Sequence, residues 1–372
     1  MQGCHVMAKP TSSRCNLDCS YCFYLEKPQQ PQMDDATLEA FIRQHIAAQP
    51  GNVVEFAWQG GEPTLAGLPF YHRVVALQQR YAAGKSIQNS IQTNGILLND
   101  AWCQFLQENG WLVGISIDGP ANLHDPQRVT RSGNPTHYLV AAAIERLKAH
   151  HIEFNLLVVV SQLNSHQPEQ VYRYLKTLGT PFVQFIPLVE RDARGVITAE
   201  SVTAEGFGHF LNTIFDIWVR EDIGQIFVQI FDSTLGVWSG YPAQMCSFSA
   251  ACGHAFALES NGDIYQCDHY VYPEYKLGNL HQTSITELNA SPVALRFGED
   301  KQRLLPMDCQ TCPVLKLCQG DCPKHRARQG KSHLCQSYYA FFDYTAPYMK
   351  MMRDLITQRR SPVELMGMLH RR

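Results

Sequence analysis

Short apolar runs alternate with stretches of helical pattern over the first half of the chain. The runs have the length and residue types of buried strands. They are His5–Lys9, Val53–Trp58, Ser86–Thr93, Leu112–Ile117, Phe154–Ser161 and Phe182–Leu188, and the helical stretches are Ala36–Ala48, Phe70–Ala82, Asp100–Glu108, Tyr138–His150 and Glu169–Leu178. Such alternation predicts an α/β fold, a parallel sheet with helices outside. Six units predict an open six-stranded partial (β/α) barrel, in which function gathers at the carboxyl ends of the strands.

The second half of the chain changes character at residue 246. Before it, Glu205–Arg220 has a helical pattern, whereas Gln225–Trp238 is apolar and fits either a helix or a strand. After it the chain is rich in cysteine, and Asn261-Gly262-Asp263 is a hairpin turn signal. We therefore predict a partial barrel over 1–190, a bridging segment over 191–245, a small cysteine-rich domain over 246–344 and a helical tail over 345–372.

The composition and the net charge argue against some classes of binding partner. The chain has 372 residues, of which 45% are hydrophobic and 17% charged, so a sizeable core can be buried. A net charge of −3 gives no electrostatic footprint for nucleic acid or for an anionic membrane. There is no signal-peptide pattern, and no apolar stretch approaches the ~20 residues of a membrane span. We expect a cytoplasmic protein that binds neither nucleic acid nor membrane.

Thirteen cysteines are many for such a chain, and in a reducing cytosol metal ligation explains them better than disulfides. Cys15, Cys19 and Cys22 are spaced so that three thiolates can face one small object. Zinc ions and cubane iron–sulfur clusters both accept four cysteines, so three ligands on a four-iron cluster would leave one iron open. A zinc loop or buried cysteines are the alternatives. Cys4 and Cys103 lie in unrelated contexts, and we expect neither to be a ligand.

Several predicted strands are followed by residues suited to binding. The segment 59–63 reads QGGEP, and its glycines let the backbone approach a ligand closely. Ser116 and Arg128 follow the fourth strand, where a hydroxyl and a guanidinium suit a carboxylate or a ribose. Val189 follows the sixth strand and suits an adenine ring, although core packing explains it nearly as well. An ordinary turn, strand-end capping and a surface ion pair are the alternatives for the other positions.

Eight further cysteines lie between residues 246 and 335 and make two sets of four. That number is enough for two fully ligated metal sites, and two structural zinc sites are the alternative to iron. By spacing alone, the four cysteines from Cys309 to Cys322 would form one site.

The pattern C-x3-C-x2-C followed by Phe23, with GGEP after the second strand, resembles the radical S-adenosylmethionine (SAM) family. The resemblance implies a [4Fe–4S] cluster whose open iron is chelated by the amino and carboxylate groups of SAM. It also implies that the GGEP segment holds the SAM amino group. The SAM contacts implied in this way are Tyr21, Gly60, Gly61, Glu62, Ser116, Arg128 and Val189.

The region from Cys246 onward resembles the SPASM extension of radical SAM enzymes, an iron–sulfur domain with two auxiliary four-iron clusters. The resemblance therefore implies three [4Fe–4S] clusters in all. The implied auxiliary ligand sets interleave: Cys246, Cys252, Cys267 and Cys322 hold one cluster, and Cys309, Cys312, Cys318 and Cys335 hold the other.

Nearly the whole chain resembles the anaerobic sulfatase-maturating enzymes. The similar segments read CFY at 22–24, FAWQGGEPTLAGL at 56–68, QTNG at 92–95, QFI at 184–186 and CD at 267–268. The resemblance implies an oxidoreductase that converts a cysteine or serine in a C/S-x-P-x-R segment of an unfolded sulfatase to formylglycine. SAM would be cleaved to 5′-deoxyadenosine and methionine, and a flavodoxin-type donor would supply electrons.

The chemistry also requires a base and contacts to the peptide. Asp268 follows the implied cluster ligand Cys267, and a carboxylate can act as a general base; a turn or an ion pair is the alternative. Tyr24 and Gln59, beside the SAM motifs, are the candidates for holding the peptide. Two other functions stay open: another SPASM-type radical SAM enzyme that makes thioether or carbon–carbon crosslinks in peptides, and a non-enzymatic iron–sulfur electron carrier.

Overall fold

The structure is a computed structural model that describes residues 2–327 and 330–369. The strands among these residues are β1 (His5–Lys9), β2 (Val53–Trp58), β3 (Ser86–Thr93), β4 (Leu112–Ser116), β5 (Phe154–Val160), β6 (Phe182–Pro187), β7 (Phe227–Val228), β8 (Ala255–Glu259), β9 (Asp263–Tyr265) and β10 (Lys276–Asn279). The helices are α1 (Asp35–Ala48), α2 (Leu68–Tyr81), α3 (Asp100–Glu108), α4 (Ala121–His124), α5 (His137–Ala149), α6 (Pro168–Lys176), α7 (Ala204–Glu221), α8 (Gln229–Trp238), α9 (Ile285–Asn289), α10 (Pro292–Arg303), α11 (Met307–Gln310), α12 (Leu315–Cys318), α13 (Cys335–Thr357) and α14 (Glu364–Leu369).

The strands and helices predicted in the first half form within two residues of their predicted ends. Local capping explains two of the helix starts. The side chain of Asp34 accepts a hydrogen bond from the Thr37 N–H at 2.7 Å, and that of Asn99 accepts one from the Trp102 N–H at 3.0 Å. Each bond satisfies a backbone donor that the first helical turn leaves unpaired.

The chain divides into two compact units, and the first comprises the residues up to Ser116, Asp125–Phe154 and Cys252–Glu299. Its strand order is β10-β9-β8-β1-β2-β3-β4, and β1, β2, β3 and β4 run parallel. β8 pairs in parallel with β1, so both edges of β1 are occupied. In this register Lys9 lies opposite Glu259. A segment distant in sequence is thereby placed beside the carboxyl end of the first strand.

The core of the first unit contains a cluster of aromatic side chains around β2. The indole of Trp58 lies 5.8 Å from the ring of Phe41, 5.9 Å from that of Tyr71 and 6.4 Å from that of Trp111, and its side chain is buried. The pairs with Phe41 and Tyr71 meet edge to face and the pair with Trp111 is stacked, and aromatic pairs of both kinds contribute beyond their burial of apolar surface. This packing fixes the end of β2, and the QGGEP segment starts at the next residue.

The second unit comprises Ile117–His124, Asn155–Ala251 and the described residues from Asp300 onward. It contains the parallel strands β5, β6 and β7, and α7 packs against α13. The segment whose pattern fitted either a helix or a strand forms both, a two-residue strand followed by α8. Helix α13 begins at Cys335, so the predicted boundary at residue 344 falls inside it. Residues 370–372 of the predicted tail lie outside the described residues.

The fold class predicted from the sequence is confirmed: it is an α/β fold with an open partial barrel and a C-terminal cysteine-rich region. Within the described parts of the chain, no helix is both long and apolar enough to cross a membrane. The predicted domain boundaries remain predictions.

Candidate active site

The loop after β1, residues 11–24, carries the first three cysteines and is called the cysteine loop here. The thiols of Cys15, Cys19 and Cys22 are all partly buried, and the Leu17 N–H donates to the Cys15 Sγ at 3.3 Å. Burial, and to a smaller extent the charges of Glu62, Cys19 and Cys22, raise the pKa of Cys15 to about 12. Iron binds the thiolate, so binding iron here would release protons.

The glycine-rich turn after β2 packs directly against the cysteine loop. The Gly61 N–H donates to the Ser12 carbonyl at 2.7 Å, and the Glu62 N–H donates to the Arg14 carbonyl at 2.8 Å. A Cβ on Gly61 would lie 2.1 Å from the Arg14 carbonyl oxygen, which no side chain could tolerate. Gly60 has a φ of +141°, a conformation that favours glycine. The GGEP segment thus determines the path of the chain just before Cys15.

The carboxylate of Glu62 is buried and accepts four hydrogen bonds from this chain. Its oxygens accept from the Thr64 N–H and hydroxyl, from the Thr93 hydroxyl and from the Asn94 N–H, at 2.6–3.0 Å. Burial raises the pKa of Glu62 against the lowering effect of these donors. The Asn94 amide in turn donates to Asn16 of the cysteine loop at 2.8 Å. These contacts give Glu62 a positioning role, and a direct contact to SAM stays a prediction.

A second segment, residues 127–131, also packs against the cysteine loop. The Ser20 N–H donates to the Gln127 carbonyl at 3.0 Å, and the Arg131 Nε donates to the Cys15 carbonyl at 2.8 Å. The Arg128 guanidinium donates to the Tyr21 hydroxyl at 2.7 Å. Two of the predicted SAM contacts therefore lie together beside the predicted cluster ligands.

The other predicted SAM contacts are placed separately. Ser116 is the last residue of β4 in the first unit and is partly buried. Val189 belongs to the second unit, follows β6 and is 3% exposed.

A group of buried and partly buried polar side chains lies at the carboxyl end of β1 and is called the Lys9 cluster. Its members are Lys9, Tyr24, Gln59, Gln92, Glu259 and Asp268. Lys9 is 1% exposed, and its Nζ forms an ion pair with the Asp268 Oδ1 and donates to the Gln59 Oε1 at 2.7 Å. The Gln59 amide nitrogen donates to the Gln92 Oε1 at 2.5 Å. The predicted base and a predicted peptide contact are thus joined through one lysine.

The surroundings of Asp268 keep its carboxylate ionised. Burial alone would raise its pKa, but the Lys9 ammonium and the charges of His269 and Lys27 outweigh that effect and leave the pKa below its ordinary value. Among the described residues, only Lys9 forms a hydrogen bond with this carboxylate, through Oδ1. The side chain remains 21% exposed, so Oδ2 is available to a ligand.

Tyr24 lies on the other side of Lys9. The Lys9 Nζ is 4.6 Å from the centre of the Tyr24 ring, within range of a cation–π interaction. The Tyr24 hydroxyl donates to the Glu259 Oε1, and Glu259 is 5% exposed. Burial and then the Glu259 charge raise the pKa of Tyr24, so the phenol stays neutral and acts as a donor.

The sequence did not identify Lys9, Gln92 or Glu259 as functional. Lys9 is the last residue of the first predicted strand. A lysine is rarely buried unless it is paired, so a lysine in a predicted buried strand is the feature that could have identified it. Nothing local points to Glu259, because its place depends on the pairing of β8 with β1.

The later cysteines are divided between the two units. Cys252 and Cys267 belong to the first unit, where the Cys252 N–H donates to the Gly298 carbonyl at 3.1 Å. The second unit holds the others: Cys246, Cys309, Cys312, Cys318, Cys322 and Cys335.

The charges of neighbouring thiols contribute to the pKa values of two of the later cysteines, Cys309 and Cys318. Burial is the largest cause that raises the pKa of Cys309, and the charges of Cys335 and Cys312 add to it. Burial also raises the pKa of Cys318 to about 12, with smaller contributions from the charges of Asp321, Cys335 and Cys309. Cys309, Cys312, Cys318 and Cys335 make up one of the two ligand sets that the resemblance implies, and this grouping stays a prediction. Among the described residues, no three His, Cys, Asp or Glu side chains form a group that could hold a metal ion.

Comparisons with known proteins agree with this arrangement. The family model of the radical SAM superfamily matches residues 10–175, and that of the SPASM iron–sulfur cluster-binding domain matches residues 246–313. A serine-type anaerobic sulfatase-maturating enzyme of Bacteroides thetaiotaomicron is 42% identical, covering 98% of this chain and 95% of the relative. A cysteine-type enzyme of Clostridium perfringens is 34% identical, covering 92% of this chain and 96% of the relative.

A solved structure gives the same result. Native anSMEcpe with bound AdoMet and Kp18Cys peptide matches with a TM-score of 0.88 at 33% identity, covering 94% of this chain and 99% of that chain. Similarity of this extent includes the cysteine loop, the glycine-rich turn and the cysteine-rich region together. The chain therefore belongs to the anaerobic sulfatase-maturating enzymes, a family of radical SAM oxidoreductases with a SPASM domain.

Proposed function

We propose that this enzyme oxidises a cysteine or serine in a C/S-x-P-x-R segment of an unfolded sulfatase to formylglycine, and that SAM is cleaved to 5′-deoxyadenosine and methionine. One observation carries the proposal. Asp268 follows Cys267, is ion-paired through Oδ1, and has no hydrogen-bond partner for Oδ2 among the described residues. An ionised base next to a predicted cluster ligand suits an oxidation that removes a proton and an electron from the same residue.

The cofactors in this proposal are SAM and three [4Fe–4S] clusters. Three cysteines on one loop fit a cluster with one open iron, and the eight later cysteines fit two closed ones. When bound, this set supplies the one-electron chemistry: removal of a hydrogen atom from the β-carbon of the target and an acceptor for a second electron. Tyr21, Gly60, Gly61, Glu62, Ser116, Arg128 and Val189 are proposed to bind or position SAM.

After the hydrogen atom is gone, the target residue must still lose a proton from its hydroxyl or thiol and one electron. The Asp268 Oδ2 accepts that proton. A serine then becomes the aldehyde directly. A cysteine becomes a thioaldehyde, which exchanges its sulfur for the oxygen of water and releases hydrogen sulfide. Tyr24 and Gln59 hold the peptide so that its target residue lies within reach of Asp268.

The partners follow from the same proposal. The substrate is an unfolded sulfatase, because the target segment must enter a site lined by buried side chains. Electrons come from a flavodoxin-type donor, and the enzyme works in the cytoplasm. Named relatives include both serine-type and cysteine-type enzymes, at 42% and 34% identity, so both target residues are proposed as substrates.

Two matched peptides test the proposal. The reconstituted enzyme is incubated without oxygen with SAM, a reductant and a peptide carrying Ser-x-Pro-x-Arg or Cys-x-Pro-x-Arg. Mass spectrometry should show an aldehyde at the target residue, and chromatography should show 5′-deoxyadenosine. A peptide with alanine at the target position is the control and should remain unchanged. Absence of the aldehyde from both peptides, with SAM cleavage intact, would refute the proposal.

The same experiment separates the two other functions. A crosslinking enzyme would join two residues and leave no aldehyde that a hydrazide reagent could trap. An electron carrier would not cleave SAM when reduced. Each alternative therefore predicts a different product from the same reaction mixture.

A further inference from the structure

Lys9 is a buried lysine in contact with three residues of the proposed chemistry. Its ammonium forms an ion pair with Asp268, donates to the Gln59 Oε1 at 2.7 Å and lies 4.6 Å from the centre of the Tyr24 ring. Among residues 2–327 and 330–369, its one other close polar neighbour is the Met7 sulfur at 3.6 Å. An ammonium has three N–H donors, and these contacts account for all of them. Lys9 therefore has no donor left for a bound peptide.

Stability alone does not explain such a lysine. Moving an ammonium out of water costs several kcal/mol, and a buried ion pair repays that cost only in part. Replacing both members of a buried ion pair by apolar side chains of similar volume is often neutral or stabilising, so the pair is not needed for stability, whereas removing only one member leaves the other charge without its partner. What the lysine does provide is a fixed geometry, because one point charge holds a carboxylate, an amide and a ring in set positions.

The geometry has a direct consequence for Asp268. Lys9 occupies Oδ1, so Oδ2 is the oxygen left for the hydroxyl or thiol of the target. Lys9 also takes the Gln59 Oε1, and Gln92 takes one amide hydrogen, so the orientation of the Gln59 amide is fixed. A displacement of a reacting group by about 1 Å can lower a rate by a factor of about 10².

We propose that Lys9 is a positioning residue for formylglycine formation, which holds the Asp268 carboxylate and the Gln59 amide in the orientation that the target residue requires. The inference rests on the function proposed above. If Lys9 has this role, its loss should uncouple SAM cleavage from formylglycine formation. SAM is still cleaved, but fewer cleavage events end in an aldehyde. A residue that served only the fold would change the amount of active enzyme and leave this ratio unchanged.

The test compares Lys9→Met, Lys9→Arg and Lys27→Met in the full-length, cluster-loaded enzyme. The ratio of formylglycine to 5′-deoxyadenosine is measured together with the iron content. The ratio should fall by a factor on the order of 10 to 10² in Lys9→Met. It should also fall in Lys9→Arg, because a planar guanidinium cannot place its donors where the ammonium does, but it should fall less because the positive charge beside Asp268 is kept. Should Lys9→Met fail to hold iron, Lys9→Arg carries the test alone.

Lys27 supplies the matched control. Its charge also lowers the pKa of Asp268, but its Nζ lies over the Tyr272 ring, 3.0 Å from the ring centre. Lys27→Met removes a nearby charge without removing a hydrogen bond to Asp268, so its ratio should fall less than that of Lys9→Met. An equal fall in both variants would indicate a general charge effect and would overturn the inference.

A double variant shows whether Lys9 acts through Asp268. The double substitution Lys9→Met/Asp268→Asn should form aldehyde no more slowly than Asp268→Asn alone, because residues that act as a unit are not additive. Independent, multiplying losses would overturn the inference. A wild-type enzyme that makes no formylglycine would overturn the proposed function and the inference together. A wild-type enzyme that does, with wild-type ratios in the Lys9 variants, would overturn the inference alone.

Discussion

The carboxylate of Asp268 is the residue whose surroundings match its proposed task most closely. Burial raises its pKa, but the charge and hydrogen bond of Lys9 and the charges of His269 and Lys27 together outweigh burial and leave the pKa below the ordinary value. An aspartate of ordinary pKa, about 3.9, is already ionised at neutral pH, and this one is more firmly so. A general base must be unprotonated when the substrate arrives, and Asp268 meets that condition throughout the neutral range.

We predict that Asp268→Asn lowers formylglycine formation by a factor on the order of 10² to 10⁴, the usual contribution of a positioned base. The amide keeps the shape of the side chain but cannot accept the proton. Hydrogen abstraction precedes that step, so 5′-deoxyadenosine should still be released. The loss should be larger for the serine peptide, because a hydroxyl is far less acidic than a thiol with a pKa of about 8.5.

Iron content must be measured in the same preparation, since Asp268 adjoins the predicted ligand Cys267. Full iron, continued release of 5′-deoxyadenosine and little aldehyde would support the role as base. A variant that keeps its iron and makes formylglycine at the normal rate would show that another group takes the proton. Loss of iron would show instead that the residue supports its neighbour in the chain.

At the scale of single residues, the sequence could identify only those candidates that lie in or beside a motif. Asp268, Gln59 and Tyr24 lie in or beside motifs, and the structure joins all three to one polar cluster. Lys9 and Glu259 were missed because their roles depend on contacts between segments about 250 positions apart in the chain. No period or spacing in a single sequence encodes such a pairing.

Among the elements, the turn after β2 depends on a glycine. The Gly61 backbone lies so close to the cysteine loop that a Cβ would meet both the carbonyl oxygen and the carbonyl carbon of Arg14, at 2.1 and 2.5 Å. Both are backbone atoms and cannot rotate away. The loop can accommodate a side chain there only by moving, and Cys15 follows at once.

We predict that Gly61→Ala loses the first cluster and keeps the other two, so that iron falls by roughly a third. SAM cleavage should disappear with it. Gly51→Ala is the matched control, because a Cβ on Gly51 meets no atom within 4 Å. Iron analysis and electron paramagnetic resonance of the reduced protein measure the outcome. Full iron in Gly61→Ala would show that the loop can shift without losing its cluster.

A second element, the end of α10, holds two cysteine-bearing loops of the second unit. The Lys301 Nζ donates to the carbonyls of Cys246 and Ser247, both at 2.8 Å, and to that of Ser249. The Lys301 carbonyl accepts from Arg326 at 2.6 Å, and Arg326 also donates to the Gly320 carbonyl between Cys318 and Cys322. Two basic side chains thus connect the loop of Cys246 to the loop that precedes Cys322.

We predict that Lys301→Met lowers the iron content by about four per chain and leaves the cluster of the cysteine loop intact. The substitution keeps the length of the side chain but leaves three carbonyls without this donor, at about 1–3 kcal/mol for each that stays buried. Lys350→Met, at an exposed position of the same unit, is the control. Iron analysis measures the loss, and SAM cleavage shows whether the cluster of the cysteine loop is intact. Unchanged iron would show that the Cys246 loop keeps its shape without Lys301.

Across the whole molecule, the alternating pattern predicted the six parallel strands and their helices because those units are local in sequence. It did not predict that β8 adds to the edge of β1, or that α13 begins at Cys335. These features depend on which distant segments pack together. The grouping of the later cysteines, which stays a prediction, depends on the same kind of contact: spacing alone groups neighbours in the chain, whereas the set that the resemblance implies includes Cys335, thirteen positions beyond Cys322.

The number of clusters can be tested on the whole protein with a variant that should change nothing. Eleven cysteines are assigned as ligands, and the remaining two, Cys4 and Cys103, are buried at 8% and 0% exposure. Burial raises the pKa of Cys4 to about 11, so it stays a thiol, and buried thiols behave as small hydrophobic groups.

We predict about twelve iron and twelve sulfide per chain in wild type and in Cys4→Ala/Cys103→Ala, with equal SAM cleavage. Anaerobic reconstitution followed by iron, sulfide and zinc analysis measures this. Two zinc with only four iron would contradict the auxiliary clusters, and the loss of a whole cluster from the double variant would contradict the ligand assignment.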